Sequence, residues 1–392
     1  MKADEVERER ENIKRRNEEL QMEKKKALQE VNEKKAAYKQ KAKESMRKRN
    51  QKSFWEANKD YFGYAILGLL FLFIIISNFT GENRKLSDIS INNENYIIRV
   101  NDANGNYLVG HNELFEDMTL AKVREMANNR FSPKKNISRC NPNTIFGVQP
   151  PEFYNFYEQF SHCKTNETLE KNSSGYVQVA ISGWRNRNCK AGGDPKFTPS
   201  LEYFYNCDKK FNTASKGGYI VSTLDFMLRN GIINEQCWND IKTDDNKCPS
   251  KEDIKTCSKE YAESYCVFEK KEEIKKEIYK NGPVISFLPP YRDFLIYKKG
   301  YLNLKNKVKG EGMFFVKIVG WEVMENNEEY WIVDPLFGNK WGVNGVGYVK
   351  IDGDDNFLDT VGLSMVTSAQ EKNSTTEDEE EEDDDDEEED EE

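Results

Sequence analysis

Eight cysteines, Cys140, Cys163, Cys189, Cys207, Cys237, Cys248, Cys257 and Cys266, and two histidines, His111 and His162, are the side chains of this chain with the most reactive chemistry. A cysteine becomes a nucleophile at neutral pH when its thiol, of ordinary pKa near ~8.5, is held as the thiolate by a helix N-terminus or an adjacent imidazolium. No histidine follows residue 162, so any nucleophile beyond that point lacks a downstream imidazole base. Ser173 and Ser174 are alternative nucleophiles, but Asn172-Ser173-Ser174 reads equally as a helix N-cap and as a glycosylation sequon. The cysteines contain no C-x-x-C pair, and with only two histidines no zinc site is expected. Neither a metal nor a cofactor is implied.

The cysteines all lie after one apolar stretch, which says where they fold. Tyr61–Phe79 runs for nineteen residues without a charge, long enough at 1.5 Å per residue to cross a hydrocarbon core of ~30 Å. It begins too far into the chain for a cleaved signal peptide and has no small-x-small cleavage site, so a signal anchor is expected. Lys41, Lys43, Arg47, Lys48, Arg49, Lys52 and Lys59 precede it, which places the N-terminal arm in the cytosol and makes a single-pass type II membrane protein of the endoplasmic reticulum or secretory pathway. The paired chemistry of the cysteines then belongs to an oxidising lumen. Sequons at Asn136, Asn166, Asn172 and Asn373 fall on the same side; that at Asn78 sits too near the bilayer for use.

Residues 1–60 are rich in Lys, Arg and Glu and predict a long solvated helix. Val6, Ile13, Leu20 and Ala27 recur every seven residues, but Lys and Glu occupy most complementary positions, so a coiled-coil or acidic cytosolic partner stands beside a plain charged arm. At the other end, Glu377–Glu392 is an unbroken acidic run that cannot fold. Without those sixteen charges the balance turns from −11 to +5, and neither value implies a nucleic-acid partner. Weak Ca²⁺ buffering by the tail is a further reading.

Between these ends, alternating β-branched and aromatic residues in Phe314–Val319, Tyr330–Val333 and Val346–Ile351, each bounded by Gly, Asn or Asp, predict consecutive antiparallel strands. Their wording is more specific than their pattern. YKNGPVISFLPPYRDFLIYKKGYL from Tyr279, then FFVKIVGWEV, then EEYWIVDPLFGNKWGVNGVGYVKIDG resembles the C-terminal half of cathepsin B-like cysteine peptidases of the papain family. PPEFYNFYEQFSHC, from Pro150 to Cys163, resembles that family's entry segment. YLVGHNELFEDMTLAKV, from Tyr107 to Val123, resembles its short propeptide, and its retention as a structural part is expected.

The resemblance implies an α+β papain-like two-lobe fold over residues 150–366. A helical left lobe reaches about residue 265 and a β-barrel-like right lobe follows, with a cleft between them. Residues 80–149 form a propeptide-like segment and residues 367–392 a disordered acidic tail. Propensity makes Tyr176–Ile181 a strand, whereas the resemblance makes it the central helix. The family's nucleophile falls on Gly175, its catalytic His on Phe314, its catalytic Asn on Pro335 and its oxyanion Gln on Leu169. From these positions the expectation is a chain that is not an enzyme, binding polypeptide or a partner protein in the lumen through Gly217, Gly218, Tyr176, Phe337 and Trp341. The alternatives are an active cysteine-type endopeptidase with an unrecognised nucleophile and base, and a structural or Ca²⁺-buffering protein. The resemblance also pairs Cys163 with Cys189 and puts Cys207 and Cys237 at family-like positions; it leaves the partners among Cys140, Cys248, Cys257 and Cys266 open.

Overall fold

The computed structural model describes residues 33–37, 39–41, 43–44, 89–103, 105–130, 137–169, 175–209, 217–243, 247–304, 312–351, 358, 361–367 and 369–370. Within the charged arm the described residues are helical and mostly exposed. Among the described residues no helix is long and apolar enough to cross a membrane. Tyr61–Phe79, the sequons other than Asn166, and the acidic tail lie outside them; Asn166 is exposed.

One helix runs through the middle of the molecule. Helix α4 (Tyr176–Lys190) follows α1 (Glu94–Ala103), α2 (Leu120–Met126) and the short α3 (Phe156–Gln159), and is buried on nearly every side. That burial explains why YVQVAI forms a helix despite its strand-like composition: tertiary packing overrides a propensity difference of a few tenths of a kcal/mol per residue. Gly175 starts the helix in the left-handed region, at φ 73°. At Gly183 a Cβ would meet Ile285 and Met365 side chains at 3.2–3.3 Å, so its absence lets the helix lie close on the sheet. Arg187, 1 % exposed, donates to Glu277, to the Met365 carbonyl and to the Gly282 carbonyl, which ties the helix's last turn to the opposite lobe.

That opposite lobe is a nine-stranded sheet in the order β1-β7-β10-β9-β8-β6-β11-β5, with β2 (Phe153–Asn155) paired to β8. Its other members are β1 (Tyr107–Val109), β5 (Ala262–Phe268), β6 (Val284–Leu288), β7 (Tyr297–Leu302), β8 (Phe314–Val323), β9 (Glu329–Asp334), β10 (Gly347–Lys350) and β11 (Gly362–Thr367), while β3 (Ile232–Ile233) and β4 (Lys259–Glu260) pair separately. The antiparallel β8-β9-β10 order matches the alternation read from sequence. Helices α5 (Leu201–Cys207) and α6 (Ile220–Asn230) pack on the other side of α4, α7 (Glu235–Ile241) packs on α5, and one continuous hydrophobic core spans both lobes.

All eight cysteines are paired: Cys140–Cys266, Cys163–Cys189, Cys207–Cys248 and Cys237–Cys257. The expected Cys163–Cys189 bond is present, and the pairings left open in the sequence are resolved. Four disulfides are the signature of an oxidising compartment.

The segment before Cys140 is built into the body. Strand β1 pairs with β7, and Ile91, Val100, Phe115, Val123 and Met126 are each at most 4 % exposed. Burying such side chains contributes ~1.5–3 kcal/mol apiece, so apolar contact is the main force holding the segment.

Candidate functional site

Two families of contact meet where the propeptide-like segment crosses the lobes. Just after the α2 cap at Ala127, Asn128 bridges to Met313 on the sheet side and Arg130 to Tyr219 on the helical side. The Arg130 N–H donates to the Gly218 carbonyl at 2.9 Å and the Ile220 N–H returns a bond to Arg130 at 3.2 Å; on the other side the Met313 N–H donates to the Ala127 carbonyl at 2.7 Å. Asn129 adds a side-chain bond to the Met313 carbonyl at 3.1 Å. Apart from the Asn129 side chain this is main-chain recognition, which does not depend on side-chain identity.

Glycine makes both walls possible. A Cβ at Gly217 (φ +91°) would lie 1.7 Å from the Asn128 carbonyl oxygen, and one at Gly312 (φ +130°) would lie 2.3 Å from the Ala127 carbonyl oxygen. Gly217 and Gly218 were expected to line a polypeptide groove, and the structure sets them against an extended chain. Gly312 and Met313 were missed, since nothing in GEGM marks it as a cleft wall.

Next to this groove, at the head of α4, the residues placed on the family's reactive positions come together as apolar contacts. The Leu169 side chain packs where a Cβ on Gly175 would be, 2.8 Å away, and its N–H donates to the Leu336 carbonyl at 2.7 Å. Phe314 meets Phe337 edge-on, with ring centroids 5.7 Å apart, and Pro335 is buried one residue before Leu336. Phe337 also contacts Trp341 and Phe294, and Phe115 of the propeptide-like segment caps it at 5.1 Å. Tyr176, Phe337 and Trp341, expected as binding residues, are therefore buried in this structure, at 2, 3 and 0 % exposure. Phe337 is covered by the segment itself, as a pocket filled by an aromatic residue of its own chain.

Charge lies just behind. Lys317, three residues after Phe314, is fully buried and donates toward Tyr157 Oη and Ser182 Oγ at 2.7 Å, Asn186 Oδ1 at 3.0 Å and Asp334 Oδ2 at 3.0 Å. Tyr157 in turn donates to Asp334 at 2.5 Å. Burial, then the Asp334 charge, holds the Tyr157 hydroxyl far above its ordinary range, so it stays a donor.

A second carboxylate fixes the segment from below. Asp293, fully buried, accepts from Tyr96 at 2.5 Å and from Tyr107 at 2.8 Å, while the Arg292 guanidinium lies 3.7 Å over the Tyr96 ring. Burial, with Asp293 adding to it, raises the pKa of both tyrosines well beyond the usual range. Asp293→Asn leaves one tyrosine hydroxyl with a poorer acceptor and should cost ~1–3 kcal/mol. Hydrogen exchange should show the loss, with faster exchange across residues 94–109 and unchanged protection in α4.

At the far end of α4, about 20 Å from Gly175 at 1.5 Å per residue, His162 lies beside the Cys163–Cys189 disulfide. The imidazole and the two sulfurs fall within 4.8 Å of one another. The three line a surface pocket with Thr165, Arg185 and Asn188.

Residues 155–370 match the family described as Papain family cysteine protease. Among curated relatives, Cathepsin B-like CP3 of Giardia intestinalis is 24 % identical over 258 residues, covering 63 % of this chain and 84 % of that protein. Cathepsin B-like protease 1 of Arabidopsis thaliana is 33 % identical over 108 residues, 27 % of this chain and 28 % of that protein. Among solved structures, proCathepsin B S9 from Trypanosoma congolense superposes with a TM-score of 0.61 at 19 % identity, covering 71 % of this chain and 99 % of its own. A recombinant stem bromelain precursor gives 0.55 at 19 % identity over 76 % and 99 %.

The expectation of a chain that is not an enzyme is corrected by these findings. The relatives are cysteine proteases, and the structure sets a histidine beside cysteine sulfur. The sequence reading required the histidine to follow the cysteine, but catalytic partners occur in any chain order, and His162 directly precedes Cys163. With its matched region spanning more than half of its length and its two lobes arranged as in those precursors, the chain belongs to the papain family of cysteine proteases.

Proposed function

We propose that this chain engages extended polypeptide in the groove between Gly217–Tyr219 and Gly312–Met313, in the manner of a cysteine-type endopeptidase, and that residues 127–130 occupy that groove as an intramolecular ligand. The carrying observation is the clasp of residues 127–130 by backbone bonds from both lobes, across two glycines that leave no room for a side chain. That the solved structures it superposes on include a procathepsin and an enzyme precursor supports the same reading. Peptide-bond hydrolysis by a cysteine thiol is the family's reaction. The pairing that favours hydrolysis here is His162 with the Cys163 and Cys189 sulfurs, which are available as thiols only after reduction and lie at the far end of α4 from the groove, so cleavage at that pair and binding in the groove are separate events.

The remaining assignments rest on sequence. We place Tyr61–Phe79 as a single-pass anchor that puts the disulfide-bonded domain in the secretory lumen, with the basic arm free to meet a cytosolic coiled-coil or acidic partner.

The test is hydrolysis and binding of an unstructured peptide library by the purified chain, with and without a dithiol. Expected is binding that competes with the segment, and turnover that requires the dithiol and is lost on alkylation or in His162→Ala. Binding without turnover in either condition overturns the peptidase reading and retains the groove. Absence of both overturns the proposal.

A further inference from the structure

The Cys163–Cys189 pocket is separate from the groove and has features a purely structural disulfide does not need. Cys163 is 3 % exposed, but Cys189 is only half-buried and His162 is exposed. Asn188, 3 % exposed, lines the same pocket, and its Oδ1 has no hydrogen-bond partner among the described residues. A buried orphan acceptor is costly, on the order of 1–3 kcal/mol, unless something donates to it. Arg185 lines the pocket and is paired with Glu167, whereas the ammonium groups of Lys164 and Lys190, next to the two cysteines in sequence, donate to the Asn344 and Tyr279 carbonyls. Asp194 is the acidic group on its rim.

We propose that this pocket is a thiol–disulfide exchange site for small peptidic thiols. An incoming thiolate attacks the accessible Cys189 sulfur, the bond between the two cysteines breaks, and Cys163 leaves as a thiolate that takes up the proton lost by the incoming thiol. A second thiol then displaces the first from Cys189. The net change is reduction of one protein disulfide to two thiols and oxidation of two small thiols to their disulfide. His162 stabilises the leaving thiolate, and an amide or ammonium group of the small thiol donates to Asn188 Oδ1.

The chain contains its own control. Cys248 of the Cys207–Cys248 bond is exposed, so if access alone governs exchange, that bond opens first. If the imidazole governs it, Cys163–Cys189 opens first, because exchange speeds up as the leaving thiol becomes more acidic. The experiment incubates the native full chain in a glutathione-type buffer, quenches by alkylation at intervals, and maps all eight cysteines. Expected is labelling of Cys163 and Cys189 about ten-fold faster than of Cys207 and Cys248. In His162→Gln that advantage should shrink several-fold, while Cys207–Cys248 is unchanged. Opening of Cys207–Cys248 first, opening of all four bonds in one step, or a variant indistinguishable from the parent overturns the proposal. Exchange is read by mass and hydrolysis by turnover, so bond opening without turnover supports this proposal while overturning the peptidase reading, which needs the same bond reduced.

Discussion

Lys317→Met lowers unfolding free energy by about 3–5 kcal/mol, measured by chemical denaturation with the disulfides intact. The ammonium is fully buried among Tyr157, Ser182, Asn186 and Asp334. Removing it leaves the Asp334 carboxylate, 6 % exposed, with no cation in contact, and breaking one half of a buried pair costs that much because the remaining charge is uncompensated. The other half has reason to stay. Asp334 also accepts from the Leu336 N–H at 2.8 Å, which holds Leu336 at φ 60° and so shapes the turn that carries Pro335 and Phe337. The double variant Lys317→Met/Asp334→Asn should therefore recover part of the loss, since asparagine keeps an acceptor for Leu336 and carries no charge. A single variant within 1 kcal/mol of the parent, or a double variant worse than the single, would show that the network does not behave as a buried ion pair. In thermal melts the single variant should fall by roughly 10 °C at this domain size.

Much of the sheet was legible because its information is local. Phe314–Val319 and Tyr330–Val333 alternate, end at turn residues, and pair with the next strand along. Strand β1 was not legible: YLV is three residues long, and it pairs with a strand that begins 190 residues later, at Tyr297. The same distance hid the Asp293 clamp, whose tyrosines sit at positions 96 and 107, and Gly312 as a wall, whose meaning depends on Ala127. Tyr176–Ile181 shows the converse limit. Its composition favours a strand, and only the family wording made it a helix, because what decides is burial on all sides. The disulfides divide along this line: Cys163–Cys189 came with the family pattern, while Cys140–Cys266, spanning 126 residues, needed the fold. The His162–Cys163 adjacency is plain in the sequence, but the family's order, in which the histidine follows the nucleophile, gives it no meaning there; the Cys163–Cys189 pairing sets the imidazole beside both sulfurs.

Gly217→Ala is expected to release residues 127–130 from the groove without unfolding the domain. The added methyl would lie 1.7 Å from the Asn128 carbonyl oxygen, which is backbone and cannot rotate away, at a backbone angle (φ +91°) that an L-residue rarely adopts. Something must move, and the segment is the candidate, because the remainder of Gly217's surroundings belongs to a helical lobe tied together by two disulfides. Strain and lost backbone bonds together amount to at least ~3 kcal/mol against the docked state. Anchors further upstream, Asp293 with its two tyrosines and the buried Phe115 and Val123, are untouched, so only the last turn of chain should come free. Limited proteolysis should then nick near residues 127–130 much faster than in the parent, while hydrogen exchange in β8 and α4 stays slow. The effect on added peptide distinguishes two walls with one substitution. A peptide that needs the Gly217 wall binds no better in the variant, because the methyl obstructs it as it obstructs Asn128; Gly312→Ala should do the same from the other side. A variant that loosens the segment by deletion of its contacts instead, such as Asn129→Ala, opens the groove with both glycines intact, and there peptide affinity should rise several-fold. Tighter binding in Gly217→Ala than in Asn129→Ala would mean that polypeptide does not run along the glycine walls, and the groove reading would fall with it.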